Sequence, residues 1–267
     1  MGTIRVGVEA VELRGPGLAT WTDARRVLIG REPYRAAPIV LEPSIHLSPA
    51  ERRRAIPSVK LALAVGAGAV EQSGRDPRTL PAVFASSGAD GDTISAILAA
   101  LVTPGREVSP TRFHNSVHNA PSGYWGIAMQ SRQAVTSLSC HDASFTAGLL
   151  EASVQATSTS QPILLIAYDL PYPEPLNSVR CIETSFGTAL ILSPEPSDRA
   201  LATLTIRMAV NPVGEASSCL DAGLEELRRG NPAARSLPLL ALLAARSTGE
   251  VRLDLSHGAL EIGVVPC

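Results

Sequence analysis

Lysine is almost missing from this sequence. Lys60 is the only one, and arginine carries nearly all of the positive charge. With the acids included the formal net charge is −2. That balance offers no broad basic surface for nucleic acid or an anionic membrane. Long apolar runs are missing too. The longest, residues 61–70 and 237–245, fall well short of the roughly 20 residues that a membrane-spanning helix needs. Residues 1–12 hold two acids and no apolar stretch of the signal-peptide kind. The expected location is therefore the cytoplasm.

Cysteine is sparse. Cys140, Cys181, Cys219 and Cys267 form no CxxC pair and no Cys/His cluster at zinc spacing, which argues against a disulfide framework or a structural zinc. His114 and His118 are four apart but lie in no H-E-x-x-H, and no third ligand is near. Ser86-Ser87-Gly88 is no G-x-S-x-G elbow, and no phosphate-binding G-x-x-x-x-G-K-[ST] loop occurs. No metal and no cofactor is expected.

What is there is a hydrophobic fraction of 45% in 267 residues, enough for a sizeable core. Residues 3–13 alternate as a strand and stop at Gly15-Pro16-Gly17. Ser48-Pro49-Ala50-Glu51 is a capping box opening a helix to about residue 73, with a kink or late start at Pro57. Residues 80–86 read as a buried strand, and 92–102 as a helix capped by Asp90 or Asp92. Ser109-Pro110 begins an extended stretch, followed by a helix over 116–130 and a strand over 134–139. Residues 142–155 form an apolar helix with small residues on one face. Residues 162–168 and 188–192 are continuous apolar runs of the central-strand type. In the tail come a strand (201–210), two helices (220–229 and 238–246) and a hairpin, 251–255 with 260–265, around His257-Gly258. Alternation of this kind predicts an α/β sheet layered with helices. No repeat or linker divides the chain, so one domain over 1–267 is expected, with a core to about 195 and a divergent tail over 196–267.

Asn119-Ala120-Pro121-Ser122-Gly123 follows Ser109-Pro110 and precedes a strand and a small-residue helix. With the turn Ser86-Ser87-Gly88-Ala89-Asp90-Gly91, the run Ser116-Val117-His118-Asn119 and Ser185-Phe186-Gly187-Thr188-Ala189, this order resembles the β-ketoacyl synthases of the thiolase superfamily, over about residues 45–195. Phe113-His114-Asn115-Ser116-Val117-His118-Asn119-Ala120 and the stretch from Asp142 to Ala152 look like the short ketosynthase-like class called chain-length factors, found in aryl polyene gene clusters. The resemblance implies a thiolase-like layered fold. It implies a single N-terminal half with a mixed five-stranded sheet and a truncated C-terminal half.

The resemblance also says what chemistry to look for. A ketosynthase needs a Cys at the N-terminus of a buried helix, where the helix end favours the thiolate. It also needs two histidines from its second half. Of the histidines here only His257 lies in the last third, in the poorly matching Ser256-His257-Gly258-Ala259. Counted from Asn119 and Gly123, the nucleophile position falls on Asp142; anchored on Ser144 and Phe145, it falls on His141. Cys140 is one or two residues early. The expectations are that Asp142 caps the helix and that the Cys140 thiol is packed on the strand.

By position the family's tunnel and gate residues map to Ala89, Asp90, Arg112, Phe113 and His114, and its dimer strand and turn to Thr136, Leu138 and Asn119. The resemblance thus implies a non-catalytic, chain-length-factor-like partner of a catalytic β-ketoacyl synthase in fatty-acid or polyketide biosynthesis. Such a subunit would form a heterodimer in the cell and a homodimer when expressed alone. Arg52-Arg53-Arg54 could meet an acyl carrier protein. Two other readings stay open: an acyltransferase or thioesterase using Cys140, and a binding module on a decayed thiolase scaffold.

Overall fold

The computed structural model describes residues 2–210 and 214–267. Its first strand, β1 (Thr3–Arg14), is buried from Val6 to Leu13 and pairs on both sides. A β-bulge interrupts its register between Val8 and Ala10. The extra residue flips the pleat. Val6 and Val8 before it and Val11 and Leu13 after it all reach the same core, whereas Ala10 faces the other. The bulged residue, Glu9, is held by Arg75 at 2.5 and 2.8 Å and by Ser197.

The helix expected up to residue 73 is two helices, α2 (Pro49–Arg54) and α3 (Pro57–Ser73), because Pro57 takes the first turn of the second. Ser48 caps α2 by accepting from the Glu51 amide. The stretch from Ser109 is helical rather than extended. Ser109 accepts from the Arg112 amide and Pro110 occupies the first turn, which together start α5 (Pro110–Asn115). The helix expected over 116–130 therefore begins only at α6 (Ala120–Met129).

The remaining strands of the expected core are β2 (Ala82–Ala85), β3 (Val135–Leu138), β4 (Ile163–Asp169) and β5 (Phe186–Ser193). Tail strands follow: β6 (Ala202–Ala209), β7 (Gly249–Leu255) and β8 (Gly258–Pro266). Residues up to 195 do supply five strands, in mixed orientation. The sheet as a whole has eight, in the order β3-β2-β4-β5-β1-β6-β8-β7. Three more strands join because β6 pairs antiparallel with the side of β1 that β5 leaves free. The tail thus completes the same sheet. The pairs β2–β3 and β2–β4 are parallel, and the others antiparallel.

Helices cover both faces. On one, α3 and α6 bury Leu61, Val65 and Trp125 against Phe84, Ile166 and Ile191. On the other, α1 (Trp21–Leu28), α7 (Ser144–Thr159), α9 (Ala222–Gly230) and α10 (Leu237–Ala245) enclose the second core, which includes Phe145, Leu149 and Leu240. Two further helices, α4 (Gly91–Leu101) and the short α8 (Leu176–Val179), follow β2 and β4. No helix among the described residues is long and apolar enough to cross a membrane.

Candidate functional site

The segment between β3 and α7 is where the resemblance seeks a nucleophile. Cys140 lies past the end of β3, half-exposed, with its Sγ 3.3 Å from Ser256 Oγ. It is not packed on the strand as expected, because β3 already ends at Leu138 and the chain turns away. His141 takes a left-handed backbone, φ 50, which costs a non-glycine residue roughly 1–2 kcal/mol. Its ring points outward, 71% exposed. Residues His141–Ala143 form one 3-10 turn, and α7 starts only at Ser144.

Asp142 does not cap α7, contrary to expectation: Ala143 holds the cap position and offers no side-chain bond. Ser144 organises the turn instead, its Oγ accepting from the Cys140 amide and donating to the His141 carbonyl. The Asp142 carboxylate is taken by two arginines. Arg180, just past α8, approaches Oδ1 at 2.6 Å, and Arg235, before α10, donates to Oδ2 at 2.9 Å. Side-chain exposure is 35% for Asp142, 23% for Arg180 and 28% for Arg235. The Asp142 carboxylate is thus held between two guanidiniums, and the Cys140 thiol stands half-exposed ahead of the start of α7.

The second locus is the turn after β2. Ala89 and Asp90 line a cavity of about 270 Å³ outside the carboxyl ends of the parallel strands β2 and β4. Its walls include Pro57, Ser86, Tyr168, Leu170 and Tyr172. That is the place where open α/β sheets receive ligands. Asp90 caps α4 by accepting from the Thr93 amide at 3.0 Å and also accepts from Ser58 Oγ.

Asp169 ends β4, only 3% exposed, and ties the turn down. Its Oδ1 accepts from the Ser87 amide at 2.7 Å, Ser87 Oγ at 2.6 Å and Ser86 Oγ at 3.2 Å, while Oδ2 has no hydrogen-bond partner among the described residues. Burial pushes its pKa up to about 7, against the pull of Ser87, Ser86 and Arg180. Tyr168 beside it is raised as well, first by burial and then by Asp169 and Asp90.

Arg112, Phe113 and His114 do not join that cavity. They sit on α5, exposed, and Phe113 is 69% exposed. Phe113 and His114, with Val117, Asn119, Gly123 and Ile127, line a separate open groove of about 440 Å³. Between the two loci only about 10 Å³ is free, room for no more than about one water. The tunnel candidates named by sequence position are therefore split across two places.

The helix that lines this groove, α6, is tied to β3 by the hydrogen bond of Ser137 Oγ to Ser122 Oγ, and among the described residues β3 is an edge strand that pairs with β2 alone. Thr136 and Leu138 lie on this strand, but their backbone groups pair inward: the Ala134 and Leu138 carbonyls accept from Ala82 and Ser86. Thr136 Oγ1 accepts from Gln155, and Leu138 packs on the α7 side. The free-edge amides therefore belong to Val135 and Ser137. Asn119 begins α6 without a side-chain cap bond, exposed in the groove.

Sequence reasoning missed Asp169, Tyr172, Arg180 and Arg235. Asp169 carried a signal, a lone acid closing an apolar strand. The arginines carried none, since their partner is distant in sequence. Among the described residues, no group of three or more His, Cys, Asp or Glu is placed to hold a metal.

Comparison with solved structures gives the following likenesses. The ketosynthase ApeO in complex with its chain length factor ApeC, from Xenorhabdus doucetiae, matches with a TM-score of 0.72 at 18% identity, covering 97% of this chain and 99% of that one. The ishigamide ketosynthase/chain length factor matches at 0.71 and 13% identity, covering 98% of each chain. A β-ketoacyl synthase from Burkholderia phymatum STM815 matches at 0.68 and 9% identity, over 99% of this chain and 100% of that one. At these identities the fold is what is shared. No curated protein sequence matches. The family described as "Beta-ketoacyl synthase, N-terminal domain" matches residues 22–245, well over half of the chain, and the chain belongs to that family.

Proposed function

We propose that the chain is a non-catalytic partner subunit of a catalytic β-ketoacyl synthase, of the chain-length-factor kind, serving fatty-acid or polyketide biosynthesis in the cytoplasm. The observation that carries this reading is Asp142. Asp142 is one of the two positions, with His141, to which the resemblance maps a condensing enzyme's nucleophile, and its carboxylate is clamped by Arg180 and Arg235. Cys140, the near candidate, has its Sγ beside Ser256 Oγ and its amide on Ser144 Oγ, and lies off the start of α7. What remains useful is steric: a turn at Ala89 and Asp90 beside a cavity, and a face that can close a partner's tunnel.

That face supports a heterodimer. An edge strand with free amides at Val135 and Ser137 is a hazard unless covered. Beside it Phe113, Val117 and Ile127 are exposed around one groove. The occupant in this reading is the ketosynthase, with a second copy of this chain as its substitute when expressed alone. Such a pair should bury on the order of 2,000 Å² or more. An acyl carrier protein would deliver the chain to the catalytic subunit, and the exposed Arg53 and Arg54 on α2 suit an acidic partner of that kind.

The test is co-expression with β-ketoacyl synthases, followed by affinity purification and a condensation assay. The expected result is a stable pair whose activity survives Cys140→Ala. A chain that ignores every ketosynthase, or an assembled pair whose activity collapses in that variant, would refute the reading.

A further inference from the structure

A third cavity, of about 670 Å³ and larger than the two already described, opens toward β7, at the far end of the sheet from β3. Helix α10 packs on both α1 and β7 and supplies part of the floor between them. Val27, Leu28, Leu224, Pro238, Leu242 and Val251 make that floor apolar. A hollow of this size and lining is suited to receive an apolar group. Leu220 stands at its rim, fully exposed, and is the most exposed large apolar side chain among the described residues.

The backbone that carries Leu220 is pinned on both sides. The Ser217 amide donates to the Arg252 carbonyl at 2.9 Å, and Ser217 Oγ accepts from the Arg252 amide at 3.0 Å. The Cys219 amide donates to Glu225 Oε2 at 2.9 Å. Asp221 caps α9 by accepting from the Gly223 and Leu224 amides. An apolar side chain held out on so fixed a backbone gives up little freedom when it is bound. The two Ser217 bonds also occupy the outward backbone groups of Arg252 in the middle of β7, which blunts this edge against an added strand.

The charges on the rim identify the occupant. Arg31, just past α1, and Glu250, on β7, are both exposed there and have no ion-pair partner among the described residues. Glu32 beside Arg31 is already taken by Arg26. One free cation and one free acid around an apolar mouth do not single out a ligand of either charge. They are complemented by the same rim turned through a two-fold, which exchanges the two signs. A knob and a hollow that share one face can close on themselves in this way, each copy filling the other. We propose that this face self-associates: two copies of the chain meet about a two-fold, Leu220 of each seated in the cavity of the other and Arg31 of each facing Glu250 of the other. The contact leaves the β3 edge and the groove on α5 and α6 free, so it needs no ketosynthase and would join two ketosynthase pairs where these form. With one leucine offered from each side it belongs to the small, weak class of interfaces and shows at high protein concentration.

The experiment is sedimentation equilibrium of the full chain over a concentration series, in a Val135→Pro background that removes pairing at the β3 edge. A monomer–dimer equilibrium should remain at the upper concentrations. Leu220→Ser should weaken it by roughly 30-fold or more, with thermal unfolding unchanged because the side chain is exposed. Arg31→Glu and Glu250→Arg should each weaken it, and the two together should restore it. Should Val135→Pro fail to fold, the same substitutions are read in the otherwise wild-type chain, where they should remove the weaker step of association. A chain that stays monomeric at every concentration in the Val135→Pro background overturns the proposal, as does an equilibrium that Leu220→Ser leaves unchanged. A double charge exchange no stronger than the single ones overturns it too. So does a monomer whose cavity carries a co-purifying apolar small molecule in native mass spectrometry, since the cavity then has another occupant.

Discussion

Replacing Asp142 with alanine leaves two guanidiniums facing each other across an emptied carboxylate. The structure sets the scale of the damage. Each arginine approaches one carboxylate oxygen, at 2.6 and 2.9 Å, and all three side chains are about a quarter to a third exposed. A hydrogen bond to a charged group is worth roughly 1.5–3 kcal/mol. Removing one member of a fully buried ion pair costs roughly 3–5 kcal/mol, and exposed pairs contribute about 0–1. Partial exposure puts the expected loss between those limits, at about 1–3 kcal/mol. For a chain of this size each kcal/mol moves Tm by roughly 2–4 °C. Thermal unfolding followed by circular dichroism should therefore show Asp142→Ala several degrees below wild type. Asp142→Asn, which keeps the shape but not the charge, should fall between the two. A cycle with Arg235→Met should return a coupling of roughly 0.5–3 kcal/mol. A Tm for Asp142→Ala within a degree of wild type would show that the clamp holds nothing. The carboxylate would then be a solvated side chain in a vacated site.

Asp169 predicts a pH dependence. Its folded pKa lies near 7, above the ordinary carboxyl value. The stability it allows is present below about pH 4 and is lost as pH rises through 7, by at most on the order of 4 kcal/mol. Asp169→Asn cannot ionise, so in urea unfolding from pH 4 to 8 the difference between variant and wild type should grow in the variant's favour; parallel curves would refute the shift. At the edge strand, Val135→Pro should remove an outward amide without touching the ladder to β2, and sedimentation should show loss of the dimer. Phe113→Ala should leave the stability of the lone chain within about 0.5 kcal/mol, because the ring is exposed, yet weaken the pair by more than about 1 kcal/mol. A dimer of unchanged strength in both would move the interface elsewhere.

The layered α/β fold was legible because hydrophobic period and turn chemistry are local. β4 and β5 announced themselves as continuous apolar runs, and the Ser48 box and Pro57 marked α2 and α3. Where the reading erred, a local rule was outweighed by something nearby or distant. Ser109-Pro110 suits an extended start equally well, but here the Ser109 side chain found the Arg112 amide. An Asp ahead of an apolar helix is a good cap by propensity, yet Asp142 is drawn off by Arg180 and Arg235, and Ser144 takes over the turn. The strand pattern of β1 hid its bulge, because burial on both faces erases the alternation that would have exposed the flip at Glu9. The split of Ala89 from Phe113 followed from α5, whose helical turn directs the ring away from the cavity.

The place of β1 in the sheet has a consequence for how the chain is made. Gly7 pairs with Ser193, and Thr3 with Arg207. A strand translated so far ahead of both neighbours must wait for them, which at roughly 5–20 residues per second takes on the order of ten seconds or more. Through that interval an apolar strand has no hydrogen-bonded neighbour, and pairings of such sequence separation are slow to close. Yield from a heterologous host should therefore depend on translation speed and on chaperones that shield the nascent β1 segment, independently of how stable the finished sheet is.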